Sequence, residues 1–327
     1  MIATARRAGR LRSAIPPILA AHELPACVDR SRILDAHVTS TGVGIAILGR
    51  RRQRPCVVVK LALTPGAATG LEREGEALAA LHAEAQLAGW RALIPRRLAA
   101  GSLDGGRYAV DTALPDAPAL TVASDERALA GVQEAAADAI GVLHRHTAAP
   151  VRVDDALVER WVTRPAELLA AHGGRGAHAL GSLADGLGSA LHGRTLTAGW
   201  VHGDFWPGNL LVRPDGALSG IVDWDAAAPD GLPLLDVLHL LLYTRRLTGG
   251  VELGRIVSDQ LRAPAWTAHE RRVLRAGTAT AELPERESLL IYWLHQTAAH
   301  TRQQDGARSS RYRVWRLRNV DPVLAAL

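Results

Sequence analysis

Val201-His202-Gly203-Asp204-Phe205-Trp206-Pro207-Gly208-Asn209-Leu210-Leu211-Val212, followed by Leu218-Ser219-Gly220-Ile221-Val222-Asp223, is the stretch that decides the fold. An aspartate and an asparagine stand five positions apart in a loop rich in glycine and proline, and a second aspartate closes an apolar strand fourteen residues after Asn209. These residue types suit phosphoryl transfer from ATP. One carboxylate orients an attacking hydroxyl and accepts its proton, while an amide oxygen and a second carboxylate hold magnesium against the phosphates. Magnesium takes hard oxygen ligands in octahedral geometry, which Asp and Asn supply and Cys or His do not.

Outward from this stretch, composition narrows the setting. The chain has 327 residues, 48% hydrophobic and 22% charged, the balance of a globular protein of one large domain or two modest ones. No apolar run approaches the roughly 18 to 20 residues of a membrane helix. The early arginines Arg6, Arg7, Arg10 and Arg12 precede an apolar stretch cut by Pro16 and Pro17 and followed by His22 and Glu23, which argues against a secretory signal. Two cysteines, Cys27 and Cys56, make neither a disulfide framework nor a metal motif, and a cytoplasmic location is expected. Residues 1–60 carry +8 and residues 301–327 carry +4, leaving about −7 for the middle of a chain whose net charge is +5. The basic character therefore belongs to the ends. A nucleic-acid binder carries its basic stripe through the folded domain, so solvated arginine-rich ends are the preferred reading. Arginine is used almost exclusively: Lys60 is the single lysine, Phe205 the single phenylalanine, and Asn209 and Asn319 the two asparagines. A residue type used once invites a chemical explanation for its position.

Along the chain, residues 1–30 read as a weak helical extension. Residues 33–49 read as strand, turn around Gly42 and Gly44, and strand; residues 50–55 as a charged turn; and 56–63 as a short apolar strand. Residues 69–88 carry Leu71, Leu78, Leu81 and Leu87 near one helical face, with glutamates in the first turns where the helix dipole favours them. Strands at 97–100 and 108–113 flank the turn Asp104-Gly105-Gly106, and a proline-rich connection follows at 115–118. Helical periodicity then marks 125–147, 154–171, 177–192, 233–247, 268–278 and 285–304, interrupted by the β-rich stretch at 200–224. A small antiparallel-sheet lobe thus precedes a larger, mainly helical one.

His202-Gly203-Asp204-x-x-x-x-Asn209 followed by Ile221-Val222-Asp223 resembles the aminoglycoside phosphotransferase/choline kinase family, which shares the protein-kinase-like fold. Gly203 stands where protein kinases carry arginine, as in the small-molecule branch. The resemblance implies a two-lobed α+β fold with ATP held between the lobes. It makes Asp204 the catalytic base, Asn209 and Asp223 magnesium ligands, and His202 an organiser of the loop. Gly231-Leu-Pro-Leu-Leu-Asp236 is similar to the family's following segment, whose aspartate braces the catalytic loop, and that role passes to Asp236. Lys60, closing the run Val57-Val58-Val59, matches the nucleotide-anchoring lysine, a compact charge for the α- and β-phosphates. Its partner is read as Glu74 on the helix that follows, with Glu72 and Glu76 as alternatives that are ordinary first-turn acids. The implied domains are a basic extension (1–30), a nucleotide-binding lobe (31–114) and a helical lobe with the catalytic loop (115–327).

The sequence departs from protein kinases in instructive places. Thr39-Ser40-Thr41-Gly42-Val43-Gly44 replaces their glycine-rich loop. Ser40 and Thr41, with the backbone N–H groups, are candidates to cradle phosphates, and an ordinary hairpin turn is the alternative. Asp223-Trp224-Asp225 replaces Asp-Phe-Gly, so Asp225 is a candidate for supplementing the metal site or touching substrate, or else a solvated acid. His144 and His146 face different directions on a helix, and His295 and His300 lack the spacing of a helical metal pair, so these read as structural. Arg311-Tyr312-Arg313-Val314-Trp315-Arg316-Leu317-Arg318 reads as a terminal amphipathic helix packing Tyr312 and Trp315, with an anion- or nucleic-acid-binding segment as the alternative. The expected reaction is γ-phosphoryl transfer from Mg-ATP to a hydroxyl of a small molecule. Asp204, Asp223, Asp225 and Asp230 form an acidic neighbourhood that would tolerate a cationic acceptor such as an amino sugar. The rivals are a protein kinase, which lacks its arginine and activation segment here, and an inactive nucleotide- or nucleic-acid-binding module.

Overall fold

The computed structural model describes residues 2–50, 55–171, 176–277, 283–303 and 310–327. The charged turn expected at 50–55 lies mostly outside them. The chain divides into two compact units, Met1–Thr121 with Gly208–Ala227, and Val122–Pro207 with Ala228–Leu327.

The first unit is built on an antiparallel sheet of five strands, β1 (Arg32–Val38), β2 (Val43–Gly49), β3 (Pro55–Ala62), β4 (Arg97–Leu103) and β5 (Gly106–Thr112), in the order β1-β2-β3-β5-β4. Strand alternation sorts its side chains onto two faces. Val57, Val59 and Leu61 of β3 and Tyr108 and Val110 of β5 are buried in one cluster with Leu11, Ala14, Ile15 and Ile18 of helix α1 (Ile2–Ala20). Residues 2–20, which look like an extension in the sequence, therefore contribute an apolar stripe at helical spacing to this core. Lys60 and Asp111 point to the opposite face, toward helix α2 (Pro65–Ala83). Thr64 caps α2 by accepting the Ala67 N–H, and Pro65 occupies the first turn, where no N–H is needed. The buried stripe of α2 runs Ala67, Gly70, Leu71, Glu74, Ala77, Leu78, Leu81. Glu74 is thus the glutamate that the helix turns inward, and Glu72 and Glu76 lie off that stripe. A second sheet in this unit pairs β6 (Ala117–Pro118) with β9 (Leu210–Val212) and β9 with β10 (Leu218–Ile221). Because β6 pairs with β9, residues 208–227 cluster with the first unit although the residues just before them belong to the second.

The second unit is helical around a small sheet. Helix α3 (Glu126–Thr147) is followed by β7 (Ala149–Arg152), α4 (Asp155–Val158), a π-helical turn at Glu159–Thr163, α5 (Arg164–Ala171) and α6 (Ala177–Leu191). Strand β8 (Thr195–Val201) pairs with β7 and with β11 (Ala228–Gly231). Then come α7 (Leu234–Gly249), α8 (Leu253–Arg262), α9 (Ala268–Gly277), α10 (Glu285–Gln303), α11 (Ser310–Asn319) and α12 (Asp321–Leu324). Leu289 to Leu294 of α10 are buried all round, which makes α10 a central helix of this unit. Helix α8, absent from the sequence reading, is ten residues long and buries Leu253, Ile256, Val257 and Gln260 on one face. On α11, Tyr312 is buried and its hydroxyl meets Thr301 Oγ1 at 3.2 Å, while Trp315 stacks on His300. No helix among the described residues is long and apolar enough to cross a membrane.

Candidate active site

In the first unit, four charged side chains form a buried square. Lys60 Nζ donates to Glu74 Oε1 at 2.5 Å and lies 3.6 Å from Asp111 Oδ2. Arg97 Nε donates to Asp111 Oδ1 at 2.5 Å, and Arg97 Nη2 reaches Glu74 Oε2 at 3.3 Å. Glu74 is 1% exposed. Burial pushes its pKa up, but Lys60, Arg97 and the Trp224 backbone N–H stabilise the carboxylate and hold it below the usual range. For Lys60, burial pulls the pKa down, yet the charges of Glu74, Asp111 and Asp223 outweigh it and the ammonium is held above its ordinary value. Asp111 moves the other way: burial dominates and raises its pKa. A Cβ at Gly75 of α2 would stand 2.8 Å from Arg97 Nη1, so any side chain there would have to displace that guanidinium.

The hairpin β9–β10 carries Asn209 and Asp223. The Val222 N–H donates to the Asn209 carbonyl at 2.9 Å, so the backbone immediately before Asp223 is tied to Asn209. Asp223 adopts φ +69°, a left-handed conformation that costs a non-glycine residue on the order of 1 kcal/mol or more. Trp224 is fully buried, donates from Nε1 to the Ile221 carbonyl at 3.0 Å and meets Trp90 edge-on. Asp225 Oδ2 lies against α2 at Gly70, 3.1 Å from where a Cβ would stand. Ser40 and Thr41 sit exposed at the tip of the β1–β2 turn. There Thr41 Oγ1 meets Thr39 Oγ1 at 2.8 Å and the Thr41 carbonyl accepts from Thr64 Oγ1 at 3.2 Å.

Asn209 and Asp223 are two hard oxygen donors on one hairpin. Among the described residues no group of three or more His, Cys, Asp or Glu side chains stands ready to cage a metal alone. Magnesium characteristically takes one or two protein ligands and completes its shell with phosphate and water. The pair therefore fits an ion that arrives with a nucleotide.

In the second unit, Asp236 at the start of α7 is 1% exposed and accepts two backbone donors, the His202 N–H on Oδ2 at 2.8 Å and the Gly203 N–H on Oδ1 at 2.9 Å. His144 Nε2 adds a third contact at 3.2 Å, and His144 Nδ1 meets the Gly277 carbonyl at 3.0 Å. Burial alone would raise the pKa of Asp236, but these donors hold it below the usual carboxylate range. Gly203 has φ +81°, so the position held by arginine in protein kinases is here a left-handed turn that glycine adopts without strain. His202 is buried and accepts the Asp204 N–H on Nδ1 at 3.2 Å, while the Gly203 carbonyl accepts from Gln296 Nε2 at 3.2 Å. The loop is thus fixed before the side chain of Asp204 begins. That side chain is 40% exposed, with Oδ1 3.0 Å from His239 Nε2 and Oδ2 3.3 Å from Trp206 Nε1.

Within the first unit the structure brings together Lys60 and Glu74 and ties Asn209 to the residue before Asp223. Within the second it brings together His202, Asp204 and Asp236. Sequence reasoning missed Arg97 and Asp111, which meet only through the β4–β5 ladder, and His144, whose partner lies 92 positions away. It also missed His239, one turn after Asp236; the readable signal was a second polar residue in the apolar run Leu234–Leu242.

A five-stranded antiparallel sheet with an inward Lys–Glu pair and a helical unit with a braced His-Gly-Asp loop define a protein-kinase-like phosphotransferase fold. The family model described as the phosphotransferase enzyme family, APH, matches residues 48–274, and the chain belongs to that family. No curated protein matches the sequence. Among solved structures, the GDP complex of aminoglycoside 2'-phosphotransferase-IIIa is similar at a TM-score of 0.58 and 14% identity, covering 98% of each chain. The gentamicin complex of APH(2")-IIa gives 0.55 at 15% identity, covering 91% of each chain. The ADP and streptomycin complex of APH(3'')-Id from Streptomyces rimosus gives 0.53 at 16% identity, covering 88% of this chain and 97% of the other. At these identities the likeness establishes the fold.

Proposed function

We propose that the protein transfers the γ-phosphoryl group of ATP to a hydroxyl of a small molecule, of the amino-sugar, aminoglycoside or similarly hydroxylated class. The observation that carries this reading is the presentation of Asp204. Its backbone is pinned through Asp236, and its carboxylate stays accessible on a loop that has no other evident reason for such bracing. Asp204 aligns the acceptor hydroxyl and takes its proton; His202 keeps the loop in shape. Lys60, oriented by Glu74, holds the nucleotide phosphates, and the turn at Ser40 and Thr41 offers hydroxyls and N–H groups to them. Asn209 and Asp223 hold magnesium, and the strained backbone of Asp223 is the kind of local cost that functional sites carry. The ion, when bound, neutralises charge on the phosphates. Asp225 beside α2 serves as substrate contact or outer support. Rate enhancement then comes from positioning and electrostatics rather than from covalent chemistry.

The two similar structures that hold gentamicin and streptomycin support a cationic, hydroxyl-rich acceptor. A radiolabelled-ATP assay against a library of aminoglycosides, amino sugars and hydroxylated metabolites tests the reading. Phosphorylation of a small molecule that falls by about 10² to 10⁴ in Asp204→Asn supports it. Label appearing on protein, or nucleotide binding with no transfer to any acceptor or to water, sinks it in favour of a protein kinase or an inactive module. Calorimetry adds a second arm: Asp223→Ala should weaken Mg-ATP far more than metal-free ATP, because the lost group acts through the ion.

A further inference from the structure

We infer that His239, seated between the Tyr292 hydroxyl and the Asp204 carboxylate, is a positioning residue for Asp204. The inference rests on the reading of Asp204 as the base and adds a residue to which that reading gives no part.

His239 lies three residues after Asp236 on α7, so the two side chains leave the same helical face. Asp236 holds the backbone of the catalytic loop and His239 holds its carboxylate. One rigid helix therefore fixes both ends of the group that must meet the acceptor. His239 is 2% exposed. Its Nε2 stands 3.0 Å from Asp204 Oδ1 and its Nδ1 stands 3.1 Å from the Tyr292 hydroxyl on the buried helix α10. An ionised carboxylate only accepts hydrogen bonds, so Nε2 carries a proton. Nδ1 then pairs with the Tyr292 hydroxyl, a group able to donate or accept. Tyr292 keeps its proton: burial first, and then the negative charge of Asp204, hold the phenol well above its ordinary range.

The ring cannot easily turn to another partner. Tyr243 meets it edge-on with centroids 5.1 Å apart, and the Tyr292 ring lies at 5.9 Å. Trp206, which approaches Asp204 Oδ2, packs on Tyr243 at 4.7 Å, and the Arg246 guanidinium lies over the Tyr243 ring, 5.0 Å from its centroid. The chain Tyr292 to His239 to Asp204 thus runs from a buried helix to the carboxylate. An oriented donor of this kind matters because a misplacement of about 1 Å at a reacting group costs on the order of 10²-fold in rate.

The test uses the full chain with Mg-ATP, with streptomycin, gentamicin and water as acceptors. His239→Ala should lower kcat by about 10- to 100-fold with KM for Mg-ATP unchanged. His239→Gln, whose amide nitrogen takes the place of Nε2, should recover most of that loss. A direct readout comes from imidazole nitrogen NMR. The resonances lost in His239→Gln should show Nε2 protonated in the wild type, and Tyr292→Phe, a minimal change, should move the Nδ1 resonance. A bare Nε2 in the wild type overturns the inference, whatever the acceptor. So does a kcat that His239→Ala leaves unchanged, or a Gln variant no better than Ala. Asp204→Asn run in parallel separates the failures: if it retains turnover, the base assignment itself falls. If Asp204→Asn is dead and His239→Ala is not, only the positioning role falls.

Discussion

Arg97 on β4 and Asp111 on β5 stand directly opposite each other in the antiparallel ladder, joined at 2.5 Å beneath α2. Because Arg97 also reaches Glu74, two carboxylates and two cations share one buried site, and neither ion pair is independent of the other. Removing one cation leaves two buried carboxylates to share Lys60. Arg97→Met should therefore destabilise the protein by about 3 kcal/mol, in the range expected when one partner of a buried pair is lost. Replacing both, Arg97→Met with Asp111→Leu, should restore much of it, since an apolar pair needs no compensation. Urea denaturation of the three proteins checks this. A single variant within 0.5 kcal/mol of the wild type, the usual scale of a surface substitution, would show that the square is solvated rather than structural.

Asp236→Asn probes the bracing of the His202–Asp204 loop. Asparagine keeps the shape but has one acceptor oxygen, so either the His202 or the Gly203 N–H loses its partner and His144 loses a charged one. An unsatisfied buried donor costs about 1 to 3 kcal/mol. The expected outcome is a folded protein with faster amide exchange at His202 and Gly203 and reduced turnover. Unchanged exchange at both amides would mean that the loop is held by other contacts, Gln296 foremost among them.

The reach of the sequence follows from where each residue's partners lie. The His202–Asn209 loop and Asp223 stood out because acidic and amide residues at that spacing over a short stretch suggest one chemistry. Lys60 stood out by being the only lysine, and Glu74 by its place in a helix whose apolar stripe turns it inward. Arg97, Asp111, His144 and His239 acquire meaning only from partners distant in sequence. Arg97 and Asp111 sit in short strands whose register cannot be read from composition, and His239 lies within an apolar helix where one polar residue reads as packing. Residues 2–20 are instructive in the opposite sense. Their buried stripe Leu11, Ala14, Ile15 and Ile18 has helical spacing, but the arginines and Pro16-Pro17 obscured it. Helix α8 escaped notice because it is short and lies close to its neighbours in the chain.

Stability should fall in mild acid through His295. This side chain, on α10, donates from Nε2 to the Trp161 carbonyl at 2.9 Å, and burial pushes its pKa down to about 4 from an ordinary 6.5. Its folded value lies below its unfolded one, so its contribution is complete above pH 6.5 and disappears as pH falls toward about 4, where the unfolded chain binds a proton that the folded one refuses. Up to about 3 kcal/mol of stability is at stake in that window. Glu74 and Asp236, both held below the usual carboxylate range, add losses at still lower pH, while Asp111, raised by burial, works against them. Denaturation midpoints between pH 7 and pH 4 for the wild type and His295→Gln decide the point. The variant should show a flatter profile across the window, and parallel profiles would assign the acid loss to other groups.

Lys60 offers the most direct test of the nucleotide half of the site. With one lysine in the chain, an amine-reactive reagent has Lys60 and the N-terminal amine as its targets, and the N-terminal amine serves as an internal reference. Glu74, Asp111 and Asp223 hold the Lys60 ammonium above its ordinary pKa, so the reactive unprotonated amine is scarce and labelling should lag far behind the reference. Glu74→Gln removes the nearest of these charges, and Lys60 should then react faster. Mg-ATP should slow Lys60 further in the wild type while leaving the N-terminal amine unchanged, because phosphate oxygens add negative charge and cover the side chain. Lys60→Arg should not restore turnover, since a planar guanidinium does not reproduce a compact ammonium seated 2.5 Å from Glu74 Oε1. Peptide mass spectrometry reads each rate separately. If Lys60 labels at the same rate with and without saturating Mg-ATP, its pairing with Glu74 is a structural ion pair, and the phosphates must be held by other residues.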